Sequence, residues 1–305
     1  MSNLERPIRH AKIVSDMTVS QLAGSLEDCA FGAGRLSEAV NIYRDMVSDS
    51  ECTKFFGLAG AMVPAGMKQI VTDMIRDGDI DILVSTGANL VHDIIESLGL
   101  HHYKGTDVAD DVELKKCSIN RIYDVFLPEE HFSKLEEKLQ PLFRGLPDKL
   151  SISELLSHIG GELEDDNSIL KSAYDMGIPV YCPAIQDSII GLQAWHYRQT
   201  KPLNVDVFAD MKGLIDRCYE AKRSGVLIVG GGVPKNFILQ SMLVTPKSFD
   251  YAIQLTMDRP EPGGLSGATL DEARSWGKVG ENARAVTVYS DATITLPIIV
   301  AAAKS

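Results

Sequence analysis

The chain has 305 residues, of which 45% are hydrophobic and 24% charged, and its formal net charge is −12. That size and apolar content describe a globular protein with one large domain or two modest ones. The acidic balance excludes nucleic acid as the main partner, which requires a basic face; it suits cationic partners such as polyamines or a basic protein loop, or solubility alone.

Taken in chain order, residues 1–15 read as an extended polar arm with no apolar signal core. Residues 18–44 carry Leu22, Leu26, Leu36, Val40 and Tyr43 at helical spacing, interrupted by Gly32 and Gly34, which predicts two helices. From residue 53, short apolar runs alternate with helical segments. KFFGLAG is a strand entering a small-residue turn, and Pro64 to Arg76 a helix with proline near its first turn. DILVS (81–85) is a strand, followed through Ser85-Thr86-Gly87 by a helix over 88–98. Residues 101–118 form a polar excursion with His101, His102 and an acidic cluster, and 128–143 and 151–163 are amphipathic helices.

The second half repeats the alternation. Strands are expected at 178–183, 226–230, 251–256 and 286–290, and helices from Asp187, over 208–223 and over 234–243. The apolar stretch 294–303 is too short to cross a membrane and reads as a buried closing helix; no membrane association is expected. Alternation with fully apolar strands predicts an α/β fold: a doubly wound, mostly parallel, Rossmann-like sheet with helices on both faces. The expected organisation is an N-terminal arm and helices over 1–50, then a single domain over 51–305. Cys29, Cys52, Cys117, Cys182 and Cys218 are dispersed with no CxxC pair, the pattern of reduced thiols in a cytoplasmic protein; no metal site is expected.

Ligands of such sheets bind beyond the carboxyl ends of strands. Four loops have that character: Ala59-Gly60-Ala61, Ser85-Thr86-Gly87-Ala88, Gly230-Gly231-Gly232 and Ser290-Asp291-Ala292. Each alone reads equally as a tight packing turn; the four together favour a nucleotide site. Asp187 and Asp291 stand where helix N-caps are common.

The segment EPGGLSGATLDEARSWGK (261–278) runs from a glycine-rich loop into an acidic helix start. Thr269 is the expected N-cap, with Asp271 and Glu272 in the first turn, where the helix dipole favours carboxylates. Lys278 follows Trp276 by two residues. It reads either as a solvated lysine capping carbonyls or, if desolvated beside the indole, as a nucleophilic amine.

SWGK resembles the motif carrying the reactive lysine of the deoxyhypusine synthase family. FGLAGAMVPAGM (56–67), VSTGANLVHD (84–93), INRIYDVFLPEEHF (119–132), GIPVYCPAIQDS (177–188), VLIVGGGVPKNFI (226–238) and VTVYSDATITLPIIVA (286–301) resemble further family blocks, in the family's order. The likeness runs from about residue 50 to the C-terminus. It implies an NAD-dependent transfer of the aminobutyl group of spermidine to a lysine of the hypusine-bearing translation factor, through an imine on Lys278. By position it implies dinucleotide contacts at Gly60, Ala61, Met62, Thr86, Gly87, Asp187, Gly231, Asp291 and Ala292. His92, Asn236, Glu272 and Trp276 are then the expected substrate contacts. It also implies a homotetramer with sites at subunit interfaces.

The chain departs from the eukaryotic-type pattern in having Leu192, Leu265 and Asn236 at matching polyamine positions, and His92 where a glutamate is expected. Asp258 or Glu261 are candidate replacements for the missing acids. The pattern looks like the prokaryotic branch of the family. Two rival readings stand beside the first: aminobutyl transfer to a free amine, as in homospermidine synthase, and a non-catalytic polyamine- or nucleotide-binding homologue.

Overall fold

A computed structural model of the chain describes residues 6–304; the first five residues of the expected polar arm lie outside the described residues, and 6–14 are exposed with no helix or strand. The chain comprises two compact units. One runs to Gly57 and resumes at Ile215; the other is Leu58–Leu214.

The first unit opens with α1 (Val19–Ser25), α2 (Phe31–Ser48) and β1 (Cys52–Leu58). Thr18 begins α1 with a capping box that includes Gln21. Two helices form as expected, but the break falls at residues 26–30. Gly32 and Gly34 lie in the first turn of α2, where glycine does not interrupt a helix interior.

The second unit holds α3 (Lys68–Arg76), β2 (Ile82–Ser85), α4 (Gly87–Ser97), β3 (Tyr103–Lys104), α5 (Asp111–Lys116), β4 (Ile119–Ile122), β5 (Val125–Pro128), α6 (Glu130–Leu142), β6 (Lys149–Ser151), α7 (Ile152–Gly161), α8 (Ile169–Asp175), β7 (Val180–Tyr181), α9 (Ile189–Arg198) and β8 (Asn204–Asp206). Helix α3 starts at Lys68 rather than Pro64, because residues 61–66 are turns and Gly66 has φ +85°. That conformation stops a right-handed helix and favours glycine. Strands β2 and β7 pair in parallel, Leu83 opposite Val180. Strands β3, β5 and β4 form a small antiparallel sheet, and β6 pairs with β8 in parallel. This hairpin, the β6–β8 pair and α8 are elements the sequence pattern did not announce.

After α10 (Ala209–Glu220), the chain completes the first unit with β9 (Arg223–Val229), α11 (Gly232–Leu243), β10 (Phe249–Thr256), α12 (Leu270–Ser275), β11 (Val279–Tyr289) and α13 (Ala292–Lys304). Its strands lie in the order β11-β10-β9-β1, and β10 is parallel to both β9 and β11. Strand β9 beyond its first residue, and β10 apart from Asp250, are buried throughout, with the run Val226–Val229 wholly apolar in β9, as parallel strands covered on both faces require. Ile42, Tyr43 and Met46 of α2 and Leu296, Ile299 and Ala302 of α13 are buried, and Phe55 meets Phe249 edge to face at 5.2 Å. A buried large side chain of this kind contributes on the order of 1.5–3 kcal/mol. The fold is α/β with mostly parallel strands, as expected; α13 closes the chain but is buried along one face only, with Ile294 exposed.

Candidate active site

In the first unit, a pocket of about 160 Å³ opens between α11 and α12. Thr269 caps α12 as the sequence predicts, accepting a hydrogen bond from the Glu272 N–H at 3.0 Å. That cap sets Glu272 on the pocket wall, facing Asn236 of α11, Leu265, Trp276 and Lys278. Helix α12 ends at Trp276, and Gly277 turns the chain with φ +70°. The Lys278 N–H donates to the Ala273 carbonyl, and the Lys278 carbonyl accepts from the Phe249 N–H, both at 3.0 Å. The backbone of Lys278 is therefore fixed on both sides, and its side chain is the free variable. Its Nζ lies 5.5 Å from the Trp276 ring centroid, within cation–π range. Burial lowers the amine below its ordinary value, while the Glu272 carboxylate pulls it the other way. Lys278 caps no carbonyl through its side chain among the described residues. Trp276 is 60% exposed, so it is a wall of the pocket and not core packing.

Lys235, beneath the same pocket, is a residue that sequence reasoning missed. Only 3% exposed, its Nζ donates to Gln254 Oε1 and the Leu265 carbonyl at 3.0 Å, and to the Ala268 carbonyl. Burial pushes its amine down to about 8; the neighbouring Lys278 adds to the fall and Glu272 opposes it. The signal was present: Lys235 shares a helix face with Ile238, Leu239 and Met242, all buried. A lysine on an apolar stripe needs acceptors inside the fold. Gln254, fully buried on β10, supplies one and donates in turn to the carbonyls of Gly230 and Ser266 at 2.9 and 2.8 Å.

The Gly230-Gly231-Gly232 turn has φ values of +74° at Gly230 and +56° at Gly232. Gly231 packs so closely that a Cβ there would lie 2.4 Å from Ser266 Cα, and the Gly232 N–H donates to Ser266 Oγ at 2.9 Å. The 259–268 segment thus fills this face of the turn. Asp258, just before that segment, and Glu261, on it, are exposed and outside the lining of the pocket. Asp291 accepts from the Thr293 N–H at 2.9 Å, capping the start of α13 beside Ala292.

In the second unit, three loops are held together. Asn89 Oδ1 accepts from the N–H groups of Met62 and Val63 at 3.1 and 3.4 Å, which ties Gly60-Ala61-Met62 to α4. Thr86 caps α4. A Cβ on Gly87 would lie 2.4 Å from Ser188 Cβ, so the α4 start and the α9 start approach without room for another atom. Ser188, not Asp187, caps α9, accepting from the Gly191 N–H at 3.2 Å. The exposed Asp187 carboxylate makes no hydrogen bond among the described residues and is available to a hydroxyl-rich ligand. These small-residue turns and the open carboxylate fit a dinucleotide in kind. His92 of α4, nearly buried, bonds through Nδ1 to His102. No cluster of His, Cys, Asp or Glu among the described residues is arranged to hold a metal ion, and none of their helices is long and apolar enough to cross a membrane.

Fold and pocket together define an α/β protein with a partly buried lysine beside an indole. A family model for deoxyhypusine synthase matches residues 21–303. The chain is 64% identical to a "Probable deoxyhypusine synthase 1" of Methanosarcina mazei, over 99% of this chain and 96% of that one. It is 48% identical to a protein of the same description from Archaeoglobus fulgidus, over 95% of each. A solved structure from Entamoeba histolytica whose description names a deoxyhypusine synthase superposes with a TM-score of 0.66 at 17% identity, covering 97% of this chain and 96% of that one, and so shares the fold. The chain belongs to the deoxyhypusine synthase family. Membership makes it a transferase, in a family whose chemistry is aminobutyl transfer from spermidine.

Proposed function

We propose that the chain uses NAD and spermidine to transfer an aminobutyl group, through an imine on Lys278, to a lysine of the hypusine-bearing translation factor. The observation that carries this reading is the Lys278 amine, half-buried against Trp276 with its proton affinity lowered by burial. A neutral amine at this position attacks the carbon of a substrate C=N bond and releases the departing amine. Glu272, the single carboxylate on the wall, attracts the ammonium end of the donor. Asn236 offers an amide to the same ligand, and the apolar face of Trp276 borders its butyl chain. His92 presents an imidazole where the eukaryotic-type pattern has a glutamate, and so adds no negative charge.

When bound, NAD supplies the hydride acceptor and donor that keeps the overall transfer redox-neutral. In the second unit Gly60, Ala61, Met62, Thr86, Gly87 and Asp187 are its candidate contacts; in the first unit, taken by itself, Gly231, Asp291 and Ala292 are candidates. Asp187, free of any capping bond, is the residue best disposed to bind ribose hydroxyls. Trp276 and Leu265 stand 60% and 52% exposed on the pocket rim, apolar surface that a neighbouring subunit would cover. This supports a homotetramer with sites at subunit interfaces. The free state of all five cysteines fits the reducing cytoplasm.

The test is product analysis by mass after incubation with spermidine, NAD and either the translation factor or putrescine. A mass gain on the factor supports the reading. Homospermidine alone would redirect it to a free-amine acceptor, and no product from either would remove the transferase assignment.

A further inference from the structure

Histidines converge on one carboxylate in the second unit. Glu96 Oε1 lies 2.6 Å from His102 Nδ1 and accepts from the His102 backbone N–H at 3.2 Å. His102 Nε2 lies 2.9 Å from His92 Nδ1, with the two rings inclined at 67°. The His102 side chain is 5% exposed, so these bonds are not exchanged for water. His101, exposed, stands 3.7 Å from the other Glu96 oxygen. The remaining charged and titratable groups around the chain are His131 and Glu130 of α6 and Lys68 of α3. His92 Nε2 has no hydrogen-bond partner among the described residues and is not one of their enclosed, unpaired atoms, so it keeps some exposed surface on a residue that is otherwise buried.

The protons on these rings follow from the partners. Burial works against the Glu96 charge, but the bonds from His102, helped by the charges of His102 and Lys68, hold the carboxyl below its ordinary range. An ionised carboxylate only accepts, so His102 Nδ1 carries a proton. With His102 neutral, its Nε2 is a lone pair, His92 Nδ1 must donate to it, and His92 Nε2 is a bare base. With His102 protonated, its Nε2–H donates to His92 Nδ1, and His92 Nε2 carries the hydrogen. Burial, followed by the neighbouring His102, pushes His92 down to about 4, so His92 itself stays neutral in both states.

We propose that Glu96, His102 and His92 form a proton relay in which His92 Nε2 takes a proton from a bound ammonium and the resulting charge comes to rest on His102. The ammonium N–H bond breaks as His92 Nε2–H forms. The His92 Nδ1–H bond breaks as His102 Nε2–H forms, and the new imidazolium is paired with Glu96. His102 and Glu96 are positioning residues acting through His92. The relay stands on the hydrogen-bonded chain alone; that the ammonium belongs to a polyamine donor rests on the aminobutyl-transfer reading above.

Histidine nitrogen NMR of the ligand-free protein, followed as the pH is lowered, tests the relay. His92 is expected to switch from the Nδ1–H to the Nε2–H tautomer while His102 becomes doubly protonated. In Glu96→Gln, an isosteric change that keeps an acceptor, the switch is expected to move to lower pH, because the opposite charge is gone. A single His92 tautomer throughout, a doubly protonated His92, or an unmoved midpoint in E96Q would overturn the relay. With spermidine as substrate, the acid limb of turnover is expected to move to lower pH with that midpoint, and an unmoved limb overturns the role of His92 as the base. A wild-type protein that does not turn over spermidine, yet shows the tautomer switch with the E96Q shift, would refute the transferase reading and leave the relay standing.

Discussion

Lys278 Nζ sits 5.5 Å from the centroid of the Trp276 ring, on a backbone whose N–H and carbonyl are both bonded to neighbouring elements. A two-residue separation across a glycine turn brings an amine over an indole. Burial then sets how readily that amine loses its proton.

The reactive amine is tested directly. Borohydride added during turnover with spermidine and NAD is expected to fix a butylamine adduct on Lys278, located by peptide mass. Lys278→Ala should lose the adduct and at least about a thousandfold in rate, as loss of a nucleophile does. An adduct on Lys235 instead would transfer the role to the deeper amine.

Trp276→Ala opens the Lys278 side chain to water. Since burial is what lowers this amine, its proton affinity should return towards the ordinary lysine value. The pH midpoint for imine formation is then expected to rise. A variant with reduced rate and an unchanged midpoint would show that the indole acts only as a wall.

Lys235→Met removes the donor shared by Gln254 Oε1 and two carbonyls. Leaving buried acceptors unpaired is expected to cost about 2–4 kcal/mol in denaturant titration. The pH dependence has a definite sign. The folded amine sits at about 8 against an unfolded value of 10.5, so between these the unfolded chain holds more protons. Wild-type stability, relative to the methionine variant, should rise from pH 8 to 10.5 by on the order of 3 kcal/mol, and be lost as pH falls through 8. A flat difference across that window would mean the buried amine is not depressed.

Gly87→Ala places a Cβ 2.4 Å from Ser188 Cβ. The clash is expected to cost about 1–3 kcal/mol. Ser188→Gly alone should cost only a few tenths through the weakened cap. The double variant is expected to recover most of the loss, giving a coupling that only direct contact produces. Additive effects would deny the contact between the α4 and α9 starts.

Much of the pocket was legible before any coordinates. The Thr269 cap, the first-turn Glu272 and the Trp276-Gly277-Lys278 turn are local features, each decided within a few residues, and the α/β alternation follows from apolar runs of strand length. What was not legible depends on distant neighbours. Pro64 suits a helix start, yet Gly66 turns the chain away from one, and nothing local reveals its φ. Asp187 and Ser188 are both good caps; only the close approach of Gly87 and the bonds of Ser188 to Gly191 and Ile185 decide between them. His102 sits in a polar stretch with no periodicity, so its bonds to Glu96 and His92 left no mark on the pattern. Lys235 and Gln254 did leave one, as polar residues within apolar stripes.

Gln254 has an orientation that its surroundings read in full: its carbonyl oxygen faces the Lys235 ammonium and its amide nitrogen faces two peptide oxygens. Glutamate has the same outline, yet it would turn acceptor against acceptor at Gly230 and Ser266 while binding the lysine more tightly. Shape alone therefore does not define what this position tolerates. An exchange that looks neutral by size would loosen the hold on Gly230 and Ser266 while tightening that on Lys235, and so shift the floor on which the pocket rests.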